Sequence, residues 1–190
     1  MGNNTWDNVL DPHPVARGDS KSTFAAYQDV AGTAATKPLP MTYANELKIG
    51  TRIEIEARGE FTCLAAATIQ IGSIYGATAG AAAGVALAQS GVITVTGTPT
   101  AWPWHYNISG VVTAVGTSGV LYCQGILDLG TALTTMASSW CPTTAAARSV
   151  TIDTTVAKSW GLGCAYGASS ASNQIIVDTF SVHVLNQGKT

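Results

Sequence analysis

Arg52-Ile53-Glu54-Ile55-Glu56-Ala57-Arg58 alternates charged and apolar side chains without interruption. Successive side chains of an extended strand point to opposite faces, so this stretch offers one face to water and the other to a core. The same period of two continues downstream. Leu64 to Tyr75 reads as a second strand with Ile69 and Ile71 on one face. Short runs follow at Val85 to Ala88 and Val92 to Thr96, the latter closed by Gly97-Thr98-Pro99. Trp102 to Val115 alternates through Trp104, Tyr106 and Ile108. Gly116-Thr117-Ser118-Gly119 then turns the chain into Val120 to Leu129. Ser149 to Val156, Ser159 to Tyr166 and Gln174 to Leu185 complete roughly eight to ten strands, a pattern expected of an all-β sandwich or barrel.

Composition agrees. The 190 residues fit one domain, or one domain with an arm, and suffice to bury a core without a metal or disulfide. With 46% hydrophobic and 11% charged residues, general disorder is excluded. A net charge of −2 gives no electrostatic reason to bind a nucleic-acid backbone. Met1 to Leu10 is polar and carries Asp7, so it does not read as a secretory leader. Ile74 to Ala88, rich in Ala and Gly, is too short to span a bilayer and reads as a loop between strands, and no membrane partner is expected. Cys63, Cys123, Cys141 and Cys164 are scattered without the short spacings of a zinc site. They read as reduced core residues, with an inter-strand disulfide left open.

Residues 1–45 differ from the rest. They hold four of the seven prolines and show no sustained period, so the chain divides into an extended N-terminal arm (1–45) and a β-sandwich domain (46–190). A short helical turn is expected around Phe24 to Val30. Trp6, Val9, Leu10, Phe24, Tyr27 and Val30 are scattered apolar anchors, suited to ordering the arm along a partner.

Between Phe61 and Ala147 the only charged residue is Asp128. Outward strand positions there carry Thr, Ser, Gln and Ala, which cost little to desolvate and suit burial against another subunit. Trp102, Trp104 and Tyr106 form the densest aromatic cluster. Alternation directs Trp104, Tyr106 and Ile108 to the core or a subunit interface, with His105 and Asn107 opposite. Aromatics also serve carbohydrate clefts, but at the start of a strand they more often anchor a core or an interface.

No catalytic signature is present. His13, His105 and His183 are dispersed, Gly167-Ala168-Ser169-Ser170-Ala171 lacks the last glycine of a nucleophile elbow, and no phosphate-binding glycine loop occurs. Glu54 and Glu56 interleave with Arg52 and Arg58 as solvated strand charges do. Neither an enzyme, a cofactor nor a metal is expected.

Taken in order, several segments resemble a known family. They are the charged strand Arg52 to Arg58, Thr68-Ile-Gln-Ile-Gly-Ser-Ile-Tyr75, Pro103-Trp104 opening a long strand, and Gly116-Thr-Ser-Gly119-Val-Leu-Tyr. Ile152-Asp-Thr-Thr155, Trp160-Gly-Leu-Gly-Cys164 and Ser172-Asn173-Gln-Ile-Ile follow. Over residues 47–187 the chain is similar to small virion proteins of tailed bacteriophages, namely minor capsid, head-decoration (cement) and minor tail proteins. The resemblance implies a jelly-roll-like antiparallel sandwich and a homotrimer. It also implies a location on the capsid surface after assembly in a host cytoplasm, with the major capsid protein as partner. The alternatives are a minor tail or baseplate protein contacting the host surface, a carbohydrate-binding module using Trp102, Trp104 and Tyr106, and a hydrolase with an unrecognised site.

Overall fold

Strands fill the computed structural model, which describes residues 5–14, 20–32, 39–132 and 134–187 (backbone alone at 5–14, 20, 186 and 187). The N-terminal segment contributes β1 (Thr5–Pro14), β2 (Ser20–Ser22), β3 (Gln28–Asp29) and β4 (Met41–Thr42). The central strands are β5 (Arg52–Thr62), β6 (Thr68–Tyr75), β7 (Val85–Leu87), β8 (Ile93–Thr94), β9 (Trp102–Ala114) and β10 (Gly119–Ala132). β11 (Thr135–Cys141), β12 (Ser149–Ile152), β13 (Lys158–Tyr166) and β14 (Gln174–Gln187) complete the chain. Among the described residues the only helical element is a 3₁₀ turn at Ala146–Arg148. No helix there is long and apolar enough to cross a membrane; Ile74 to Ala88 is the end of β6, a loop, and β7.

The strands form two antiparallel sheets packed face to face as a β-sandwich. The larger runs β1-β14-β5-β9-β10-β11, with β2 also pairing β14 and β12 also pairing β10. The smaller runs β3-β13-β6-β7, with β4 on β13 and β8 on β6. β5 sits mid-sheet between β14 and β9, and register places Ile55 opposite both Val182 and Ile108. Its alternation resolves as the sequence requires: Ile53, Ile55, Ala57 and Phe61 are buried, while Arg52 and Arg58 are exposed. In β9, Trp104, Tyr106 and Ile108 face the core, Asn107 is exposed and His105 is half-buried. From the small sheet Ile69, Ile71, Tyr75, Trp160, Leu162, Cys164 and Tyr166 join the same core. The Tyr75 and Trp160 rings meet edge to face with centroids 4.9 Å apart. All four cysteines are buried and free.

The segment before β5 is built into both sheets. β1 and β2 pair with β14, and β3 and β4 pair with β13. The helical turn expected around Phe24 to Val30 is not formed; bends lead there into β3. Strand pairing satisfies the backbone instead, with Val30 N–H donating to the Leu162 carbonyl at 2.7 Å and Asp29 N–H to that of Ala81 at 3.0 Å.

Beneath this segment, Gly72 and Gly163 face each other across β6 and β13 on the side away from the core. Tyr27 lies over them: a Cβ at Gly163 would fall 2.2 Å from the Tyr27 Cζ, and one at Gly72 would fall 2.7 Å from its hydroxyl. Glycine is required at both positions by this close approach rather than by a turn.

Candidate functional site

The anchors selected from the sequence have separate fates. Phe24 is buried, edge to face with Tyr166 at 5.3 Å, so the partner it finds is this chain's own core. Val30 joins the same core. Tyr27 is half-buried on the glycine floor, and its hydroxyl donates to the Ser73 carbonyl at 3.4 Å. Trp104 is buried, with Nε1 donating to the Glu60 carbonyl at 3.2 Å. Tyr106 reaches across the sandwich to the opposite side: its hydroxyl donates to the Ala88 carbonyl at 3.0 Å and lies 3.3 Å from the Ser73 hydroxyl. Trp102 is partly buried against the core. The side chains of Trp6, Val9 and Leu10 lie outside the described residues. Trp102, Trp104 and Tyr106 therefore do not form an open aromatic cleft.

A different aromatic is exposed. Trp140, on β11, is 69% accessible, and Met136 on the same strand is 65% accessible. In β11 the polar and apolar roles are exchanged relative to a usual edge strand: Met136, Ser138 and Trp140 point outward. Register sets Trp140 opposite Ile126 and Ser138 opposite Asp128 on β10. Ile126 in turn faces Asn107 on β9, and Asn107 faces Glu56 on β5. The outer face of the large sheet thus grades from the charged strand β5 to a partly apolar zone on β10 and β11, where Asp128 is the one charged side chain and Tyr122 and Ile126 are also exposed.

A depression of about 330 Å³ occupies this zone, lined by His105, Asn107, Gln124, Ile126, Asp128 and Trp140. A second, of about 450 Å³, shares His105 and Asp128 with it and continues over Arg58, Glu60, Pro103 and Asp178. Asp128, the lone carboxylate of the charge-poor stretch, accepts a short hydrogen bond from the Ser138 hydroxyl across the strand pair. His105 Nε2 lies 3.2 Å from Glu56 Oε1, and Arg58 also donates to that oxygen. Hydrogen bonding from Arg58 holds the Glu56 carboxyl below the usual carboxylate range, with His105 adding to the effect. The side-chain amides of Asn107 and Gln124 have no hydrogen-bond partner among the described residues. One carboxylate oxygen of Asp178 is buried without a donor among the described residues.

A second feature lies at the end of the sandwich where β5 begins and β9 ends. Asn45 N–H donates to the Thr154 carbonyl at 2.9 Å, Thr154 N–H to that of Gly116 at 3.0 Å, and Gly50 N–H to that of Val112 at 2.8 Å. These bonds knit together the loops before β5, between β9 and β10, and between β12 and β13. The knitted loops expose Tyr43 (66%) and Ile49 (65%), together with Val115 and Val156.

No family model and no curated protein matches the chain. No group of three or more metal-ligating side chains occurs among the described residues. Burial pushes the Cys63 and Cys123 thiols up to about 11 and that of Cys141 to about 12, so they are protonated and poor nucleophiles at neutral pH. The exposed surfaces carry an indole with the Asn107 and Gln124 amides beside it, and four apolar side chains on hydrogen-bonded loops. Trp140 is not marked by strand periodicity, because it stands near the end of β11 rather than at the head of a regular strand. The available signal was Met136-Ala137-Ser138-Ser139-Trp140, two large apolar residues placed in a stretch almost free of charge.

Proposed function

We propose that this chain is a structural virion protein, a capsid decoration protein that acts as a homotrimer and braces the capsid exterior. The observation that carries the reading is the exposure of Tyr43, Ile49, Val115 and Val156 at one end of the sandwich, on loops that hydrogen-bond to one another. Large apolar side chains on pre-ordered loops lose little entropy on docking, which makes them effective anchors for a protein surface. One such patch is small, but three copies carried on a trimer bind together, so modest individual contacts suffice. Function on this reading is binding alone.

Co-sedimentation with undecorated capsids tests it. Tyr43→Asp combined with Ile49→Asp should weaken binding by at least about tenfold while leaving the fold intact, because both side chains are exposed. Undiminished binding by that variant would remove the attachment surface from this end. Light scattering should give the mass of a trimer, and a monomer at every micromolar concentration would end the trimeric reading.

A further inference from the structure

We infer that the trough on the outer face of the large sheet is a carbohydrate site, taking a neutral, β-linked oligosaccharide of gluco-configured pyranose rings with Trp140 as its stacking platform. The inference goes beyond capsid attachment and uses a different surface, the side of the sandwich rather than its loop end.

The chemistry of the lining is selective. A pyranose ring with equatorial hydroxyls presents flat C–H faces, which pack on an aromatic face, and a rim of hydroxyls that both donate and accept. Trp140 supplies the apolar plane, with 69% of its surface open. Around it stand groups that match a hydroxyl rim. Asn107 and Gln124 each offer a carbonyl acceptor and an NH₂ donor, neither engaged among the described residues, and Asp128 adds a carboxylate acceptor. Amides left free beside an exposed indole serve a polar ligand better than an apolar protein surface, which would bury them unpaired.

Charge narrows the class further. Of the charged side chains that line the two depressions, Glu60, Asp128 and Asp178 are acidic and Arg58 is basic, so phosphate- or sulfate-bearing ligands are disfavoured. Shape sets the length. The first depression, about 330 Å³, lies at the low end of the range for ligand sites and adjoins the second, sharing His105 and Asp128 with it, which suits a chain longer than one ring. An extended β-linked chain lies along a sheet face in a way that a coiled α-linked chain cannot. Every group named stands on β5, β9, β10, β11 or β14, so the site is ordered before the ligand arrives.

Isothermal titration with cellotetraose and with tetra-N-acetylchitotetraose tests the assignment, with maltotetraose as the α-linked control. At least one β-linked tetraose should bind and maltotetraose should not. Trp140→Ala should weaken binding by about tenfold or more, and Gln124→Ala by a few-fold. Both replace exposed side chains, and thermal melting checks that they remain folded. Tyr43→Asp should bind sugar as the wild type does, and Trp140→Ala should still sediment with capsids, which separates failure here from failure of the attachment reading. Absence of binding by either β-linked probe at millimolar concentration overturns the inference, as does unaltered affinity in Trp140→Ala. If Trp140→Ala instead dissociates the oligomer while no sugar binds, the platform is a subunit contact and the inference is also overturned.

Discussion

Asp29 is fully buried, and its carboxylate is enclosed by backbone donors. Oδ1 accepts from Ala31 N–H at 3.3 Å and Leu162 N–H at 3.1 Å; Oδ2 accepts from Gly32 and Gly80 N–H, both at 3.0 Å. Burial raises the Asp29 pKa, and these four donors oppose that rise. Nearby, Lys21 Nζ donates to the Asp29 and Gly80 carbonyls at 3.1 and 2.6 Å. One side chain thus fastens β3 to β13 and to the loop after β6. Asp29→Asn keeps the volume but turns one oxygen into a donor facing two N–H groups. It should cost about 2–4 kcal/mol, seen as a lower urea midpoint with an unchanged slope. Glu56 provides the pH-dependent case. Its carboxyl is held low by Arg58, so the stability this contributes is present above the unfolded carboxylate pKa and is lost as pH falls through the lowered, folded value. Both side chains are well exposed, which limits the contribution to under about 1 kcal/mol. Arg58→Ala should raise the Glu56 pKa in an NMR titration and flatten the acid side of the stability profile.

At the scale of elements, the flatness of β6 against β13 decides how the N-terminal segment sits. Gly163→Ala would drive a methyl into the Tyr27 ring, whose atoms lie 2.2–2.5 Å from the position of that Cβ. Either Tyr27 is expelled or the strands part, so a loss of about 1–3 kcal/mol is expected, and Tyr27→Ala in the same chain should recover much of it. A double-mutant cycle in thermal unfolding measures that recovery. The same strands explain what could be read from the sequence. β5 was legible because it is covered on one face only, so Arg52, Glu54, Glu56 and Arg58 mark the wet side. β9 and the turn into β10 were legible for the same reason of alternation, which also fixed the inward direction of Trp104, Tyr106 and Ile108. β3 and β4 are two residues long and depend on β13 for their existence, so no local period announces them. In β11, Met136 and Trp140 point outward, which reverses the usual link between apolar character and burial. The exposure of Trp140 is hidden for that reason: an exposed tryptophan and a buried one are identical in sequence, and register alone tells them apart.

For the molecule as a whole, β1 to β4 act as a stitch between the sheets. β1 and β2 extend the large sheet along β14, and β3 and β4 extend the small sheet along β13, so the chain passes from one layer to the other before the central strands begin. Both layers close on one core, and Phe24, Val30 and Ala31 belong to it. Removing residues 1–19 takes away β1 and leaves β2, β3 and β4. That variant should fold, but β14 becomes an open edge over Thr179 to Gln187, and concentration-dependent association should appear in sedimentation. Removing residues 1–40 goes further. It withdraws Phe24 from Tyr166, bares Gly72 and Gly163, and leaves the Leu162 N–H and carbonyl without Asp29 and Val30. Losing one buried aromatic costs about 3–5 kcal/mol and each orphaned buried backbone group about 1–3, against a total stability of about 5–15 kcal/mol for a domain. The longer truncation should therefore lack a cooperative thermal transition, whereas the shorter one keeps it. If the chain without residues 1–40 melts at the wild-type temperature, the N-terminal strands are ornaments on a sandwich that stands without them.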